Sequence, residues 1–132
     1  MTPDECYLEA YWKGSRIPEY EPIILTSPDA SYRYALYVIK GRWPEAEPII
    51  LSSPRHSYWY AQDIIKGRWP EAESIIISDG YFSYCYASEI IKGRWPEAEP
   101  IILVSSRARE YYKKFKSKFT KEERTLWLLH LN

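Results

Sequence analysis

The chain has 132 residues, 45% of them apolar and 27% charged, which supports one ordinary domain with a buried core and excludes global disorder. Its formal net charge is zero, but residues 1–106 hold ten Lys/Arg against fifteen Asp/Glu and residues 107–132 hold eight against three, so a mildly acidic body precedes a basic segment. Aliphatic runs such as Ile75-Ile76-Ile77 are far too short to span a bilayer, and the two cysteines, Cys6 and Cys85, form no metal or redox spacing.

The opening stretch, MTPDECYLEA, has neither a basic region nor an apolar run, so the expectation is a soluble, cytoplasmic protein with free thiols and no membrane partner. Thr2-Pro3-Asp4-Glu5 reads as a capping box that opens a helix over Cys6–Lys13. Ile17-Pro18-Glu19-Tyr20-Glu21-Pro22-Ile23 is a degenerate copy of a segment that recurs downstream, which makes 1–26 an N-terminal capping repeat.

The stretch KGRWPEAE occurs letter for letter at Lys40–Glu47, Lys66–Glu73 and Lys92–Glu99, a period of 26. The whole unit repeats over 27–52, 53–78 and 79–104, and a fixed period of this size signals stacked repeats. Each unit reads as two helices. The first opens on a capping Ser27, Ser53 or Asp79, with proline following in two of the three, and is expected to end at Lys-Gly, the glycine taking the left-handed conformation. Tyr58, Ala61 and Ile65 give it an apolar stripe. The second element, Pro70–Ile77 and its equivalents, opens on proline with acids in the first turn. Pro48 and Pro100 fall inside it, so an irregular or partly 3₁₀ helix is expected, with a short strand at 49–51 as the competing reading. Residues 105–132 read as basic capping helices: one over Ser106–Lys118 and one opened by a second capping box at Thr120–Glu123. The predicted architecture is an all-α solenoid of stacked two-helix repeats, capped at both ends.

Positions identical in every unit serve a demand common to every unit, and stacking is that demand. Trp43, Trp69 and Trp95 are therefore predicted to be structural, at the corner between the two helices, with Arg42, Arg68 and Arg94 pairing to glutamates of their own or the next unit. A repeated Arg-Trp ladder for single-stranded nucleic acid is the functional alternative, opposed by the two glutamates that accompany each arginine.

The positions that differ fall at offsets 0, 1, 4, 7 and 8 of the first helix, one side of a helix, roughly opposite the Tyr-Ala-Ile stripe. They include Arg33, Tyr37, Arg55, Trp59, Asp63, Tyr81, Phe82 and Glu89. Aromatics and arginine anchor protein interfaces, whereas a purely solvated face would be Lys, Glu and Gln, so this face is the predicted protein-binding site. Catalysis has no carrier: no nucleophile elbow, phosphate loop or metal spacing occurs, His56 lacks a counterpart in the other units and reads as a surface residue, and no cofactor is implied. The basic segment, with Arg109, Lys113, Lys114, Lys116 and Lys118 among Tyr111, Tyr112, Phe115 and Phe119, supplies the alternative partner, nucleic acid. Its plainer reading is an amphipathic cap with aromatics inward.

The unit SYxYAxxIIKGRWPEAEPII resembles short-repeat proteins of bacteriophage and bacterial genomes. The resemblance covers residues 27–104 and transfers no catalytic residues. It implies a viral origin and action in the host cytoplasm. The function it points to is binding a host protein complex, in the manner of an anti-CRISPR-like inhibitor of a defence system; a virion-assembly role is the third class.

Overall fold

The first helix of the chain and the first helix of each repeated unit begin where a side-chain oxygen can take up an orphan backbone N–H. In the computed structural model, which describes residues 1–131, α1 (Pro3–Lys13) opens on the expected capping box: Thr2 Oγ1 accepts from the Glu5 N–H at 3.1 Å and Glu5 from the Thr2 N–H at 2.8 Å. Ser27, Ser53 and Asp79 accept the backbone N–H three residues on, without the reciprocal bond, at the starts of α3 (Pro28–Tyr34), α5 (Pro54–Tyr60) and α7 (Gly80–Tyr86).

These three helices end in a way their sequence does not advertise. Each widens into a π-turn, over Ala35–Ile39, Ala61–Ile65 and Ala87–Ile91. The turn closes on a lysine, not on the expected glycine: Lys40, Lys66 and Lys92 have φ of 63°, 62° and 58°, and their N–H groups reach the carbonyls of Ala35, Ala61 and Ala87 at 2.7 Å. A left-handed residue with a Cβ costs about 1–2 kcal/mol. Here a short hydrogen bond offsets that cost, and the glycine N–H behind it converges on the same carbonyl. In α1, which lacks the π-turn, Gly14 does take the left-handed position, with φ 80°.

The short helices show the proline effect by internal comparison. Pro22, Pro48 and Pro100 lack the N–H an α-turn needs, so those segments start as 3₁₀ turns (Pro18–Tyr20, Pro44–Ala46, Pro96–Ala98) before α2 (Glu21–Ile24), α4 (Glu47–Ile50) and α8 (Glu99–Leu103). Ser74 stands at that position in the middle unit, and α6 (Pro70–Ile76) is unbroken. The strand alternative at 49–51 is not adopted; no strand occurs among the described residues. After α8 the chain forms α9 (Ala108–Phe115), a 3₁₀ turn (Lys116–Lys118) and α10 (Lys121–Leu131), so the single helix expected over Ser106–Lys118 starts two residues late and tightens at its end. Thr120 and Glu123 form the second capping box.

The long helices pack in sequence, α1 on α3, α3 on α5 and α5 on α7, each also meeting a short helix. The fold is all-helical, with one continuous buried core reaching from Cys6 to Trp127. Ala35, Ala61 and Ala87, like Ile24, Ile50 and Ile76, are fully buried members of it. Ser31, Ser57 and Ser83 are buried too. Each donates its hydroxyl to the carbonyl seven residues earlier, at 3.0, 3.1 and 3.0 Å, satisfying a group at the end of a short helix. No helix among the described residues is long and apolar enough to cross a membrane.

Candidate functional site

The identical block forms a clamp, built four times. Arg42 grips Glu47 with two nitrogens, both at 2.9 Å; Tyr60 from the next unit donates to the same Glu47 at 2.7 Å and accepts the Trp43 backbone N–H at 2.8 Å. Arg68, Glu73, Tyr86 and Trp69 repeat this. Arg16, Glu21, Tyr34 and Ile17 repeat it at the N-terminal end, and Arg94, Glu99, Tyr111 and Trp95 at the C-terminal end. Trp43, Trp69 and Trp95 are buried, and each ring sits 4.9 Å from the preceding tyrosine ring, Tyr34, Tyr60 or Tyr86. Of the paired glutamates, only the second of each block is used; Glu45, Glu71 and Glu97 face solvent. The Trp ring and the Tyr hydroxyl of each clamp are taken up in tying one corner to the next helix, while Arg42 and Arg68 keep about half of their side chains exposed. Of the remaining residues assigned to the scaffold, Tyr58 and Ala61 are buried and Ile65 is half-buried.

The clamp carries a pH dependence. The Arg68 guanidinium and then the Tyr86 hydroxyl hold Glu73 below its ordinary 4.5, and Arg16 does so for Glu21. Burial would raise Glu47, but Arg42 and Tyr60 outweigh it and the net direction is down. A folded-state value below the unfolded one means that the folded chain binds fewer protons between the two. The clamp's contribution is therefore complete above pH 4.5 and is lost as pH falls through the folded values. The melting temperature should fall steeply on acidification below that point and less so in Glu73→Gln; a rise on acidification would contradict the clamp. Tyr34, pushed up to about 12 by burial and by its bond to Glu21, remains a donor throughout.

The variable positions divide. Arg33, Tyr37, Arg55, Tyr81 and Glu89 are exposed. Trp59, Asp63 and Phe82 are half-buried, since each contacts the preceding unit: Trp59 on Tyr32 at 5.7 Å, Phe82 on Tyr58 at 5.9 Å, and Asp63 accepting from the Tyr32 hydroxyl. The expectation of a wholly free outer face is corrected to that extent, most clearly at Ala30 and Ser88, which are buried. His56 is likewise no plain surface residue. Its Nε2 lies 3.2 Å from Asp29 and its Nδ1 2.8 Å from Ser53 Oγ, bridging two units. Arg55 lies 5.8 Å from the Trp59 ring and 5.9 Å from the Phe82 ring, and Arg107 5.0 Å from that of Tyr81. Cation and ring thus alternate along the helices.

A concavity lined by three rings opens on this face. It measures about 440 Å³, between α3 and α5 and the π-turns that follow them, with Tyr32, Tyr37 and Trp59 as rings and Asp29, Arg33, Gln62 and Asp63 as polar groups. Every lining residue except Tyr32 is at a position that differs between units. Tyr37 is 49% exposed and its ring lies 6.3 Å from Tyr11, which adjoins Trp12, 79% exposed; the aromatic surface therefore continues onto α1.

At the basic end, Arg109, Lys113, Lys114, Lys116 and Lys118 are exposed, while Tyr111, Tyr112, Phe115 and Phe119 are buried with Trp127. The cations stand without rings on which bases could stack. Among the described residues no group of His, Cys, Asp and Glu could hold a metal ion. No protein-family model matches the chain, and no match emerges among curated proteins or solved structures.

Proposed function

We propose that this chain is a non-enzymatic binding protein: a solenoid of stacked 26-residue units whose variable face takes a protein partner. The observation that carries the reading is the cleft between α3 and α5, lined almost wholly by residues that the repeat leaves free to differ. Most identical positions are taken up by packing, by the π-turn or by the clamp, the first glutamate of each block excepted; the non-identical ones gather rings, arginine and acid around an open concavity. Partly exposed aromatics beside arginine are the anchors of protein–protein interfaces. The resemblance to phage repeat proteins suggests a host defence complex as that partner, with the chain as its inhibitor.

The test is capture of the partner by variants of the face. Trp59→Ala with Phe82→Ala should abolish it, but these side chains also rest on Tyr32 and Tyr58. Arg33→Glu with Tyr37→Ala is the cleaner pair, since both side chains are exposed. We expect capture to drop at least tenfold with helical circular dichroism and melting temperature unchanged. Undiminished capture by the exposed pair would remove the variable face from consideration.

A further inference from the structure

We infer that the cleft between α3 and α5 receives an arginine side chain carried on a basic segment of the partner; the inference rests on the variable-face reading and names what that face recognises. Asp63 is the starting point. Its Oδ2 accepts from the Tyr32 hydroxyl, and among the described residues no cation lies within ion-pair distance of its carboxylate. The other carboxylate of the cleft, Asp29, is already spoken for by Arg33 at 3.0 Å and His56 at 3.2 Å. Asp63 therefore has no ion-pair partner in a cleft walled by Tyr37 and Trp59, and Lys40 and Lys66, which line the adjoining concavity beside it, stay beyond ion-pair distance. A half-buried carboxylate with one oxygen free, next to ring faces, matches a guanidinium: planar, able to bond the carboxylate edge-on and to lie on a ring.

The chain makes the same recognition internally at its other end. Arg94 lies 4.1 Å from the centre of the Phe119 ring, while its nitrogens reach Glu99 at 2.8 Å and Glu123 at 2.9 Å. There the two carboxylates and the ring enclose the chain's own arginine. At Asp63 the carboxylate and rings are present and the arginine is not supplied in cis. Tyr32 holds the carboxylate in place; burial, then the bond to Asp63, pushes its hydroxyl above its ordinary value, so it stays a donor.

The neighbouring unit extends the pattern. Glu89 is the 26-residue counterpart of Asp63, is exposed, and likewise has no ion-pair partner among the described residues. Packed helices sit about 8–10 Å apart. An extended segment advances about 3.3 Å per residue, so cations three residues apart would meet the two acids in turn. The net charge of −5 over residues 1–106 favours such a segment over a phosphate backbone.

The probe is the tetrapeptide Arg-Gly-Ser-Arg, amidated at its C-terminus, against the same peptide with both arginines replaced by citrulline, a neutral isostere. The readout is the indole N–H resonance of Trp59, one of six in the chain, assigned through Trp59→Phe. The arginine peptide should move that resonance at low-millimolar concentration, with an affinity at least tenfold above the citrulline peptide and weakened by salt. Asp63→Asn should lose the same tenfold, while the amide oxygen it introduces can still accept from Tyr32. Equal titration by the two peptides, or a Trp59 resonance that moves with neither, overturns the inference, and both titrations are run on the unaltered chain. The two proposals fail separately. If the exposed-pair variant loses partner capture but citrulline binds as well as arginine, the face stands and its cation specificity falls.

Discussion

Trp69→Ala should lower the melting temperature by about 10–20 °C. The ring is 2% exposed, lies 4.9 Å from Tyr60, and belongs to a residue whose backbone N–H is bonded to Tyr86 of the next unit. Truncating a buried tryptophan costs about 3–5 kcal/mol, from lost transfer energy and from the cavity left behind. Against a total stability of about 5–15 kcal/mol this is a fifth or more of the whole. At about 2 cal/mol/K of unfolding entropy per residue, each kcal/mol is worth roughly 4 °C in a chain of this size. The position cannot collapse easily, because the helix starting at Pro70 and the helix carrying Tyr86 are both pinned by the Glu73 clamp. Trp12→Ala is the control: at 79% exposure it should shift stability by less than about 0.5 kcal/mol. If Trp69→Ala lost partner capture and kept its melting temperature, the tryptophan would be a contact residue and the block a site.

How much of this could be read in the sequence depends on whether a feature is local. The caps at Thr2, Ser27, Ser53, Asp79 and Thr120 were legible because a cap is made by residues three apart. The irregular short helices were legible because proline acts on its own turn, and Ser74 in the middle unit shows the difference. The π-turns were not. They add one residue whose effect is felt only in register, and the glycine after each lysine is the ordinary stop signal, so the left-handed lysine was hidden behind it. The burial of Ser31, Ser57 and Ser83 has no local pattern to announce it, although their identity in all three units is a signal that each meets the same buried carbonyl. The tyrosine that closes the last clamp is hidden even from a comparison of the units. Tyr111 follows Trp95 by 16 residues where the other tyrosines follow their tryptophans by 17, so an alignment at fixed period steps past it. The candidate site was legible as a set of free positions but not as a shape. Which of them turn toward the neighbouring unit, as Trp59 and Phe82 do, depends on how side chains of adjacent helices interleave, and that is set between units.

Tyr60→Phe removes a single oxygen and should cost about 2–4 kcal/mol, with no change in volume to blame. The hydroxyl is at a fully buried residue and does two things at once: it donates to Glu47 at 2.7 Å and accepts the Trp43 N–H at 2.8 Å. Without it a buried backbone N–H has no partner, which costs about 1–3 kcal/mol, and a carboxylate loses a charge-assisted bond worth about 1.5–3 kcal/mol. The two losses share one atom and are not additive, so the expected total lies below their sum. Glu47→Gln separates them, because it keeps the side-chain geometry and the Trp43–Tyr60 bond while removing the charge that Arg42 grips. Denaturant unfolding of both single variants and the double should give a coupling energy of about 1 kcal/mol or more, since Tyr60 and Glu47 act through one hydrogen bond. Purely additive effects would mean that the tyrosine oxygen matters only to the backbone. The clamp would then be two unrelated contacts, and the exact recurrence of arginine and glutamate around each tryptophan would need another physical cause.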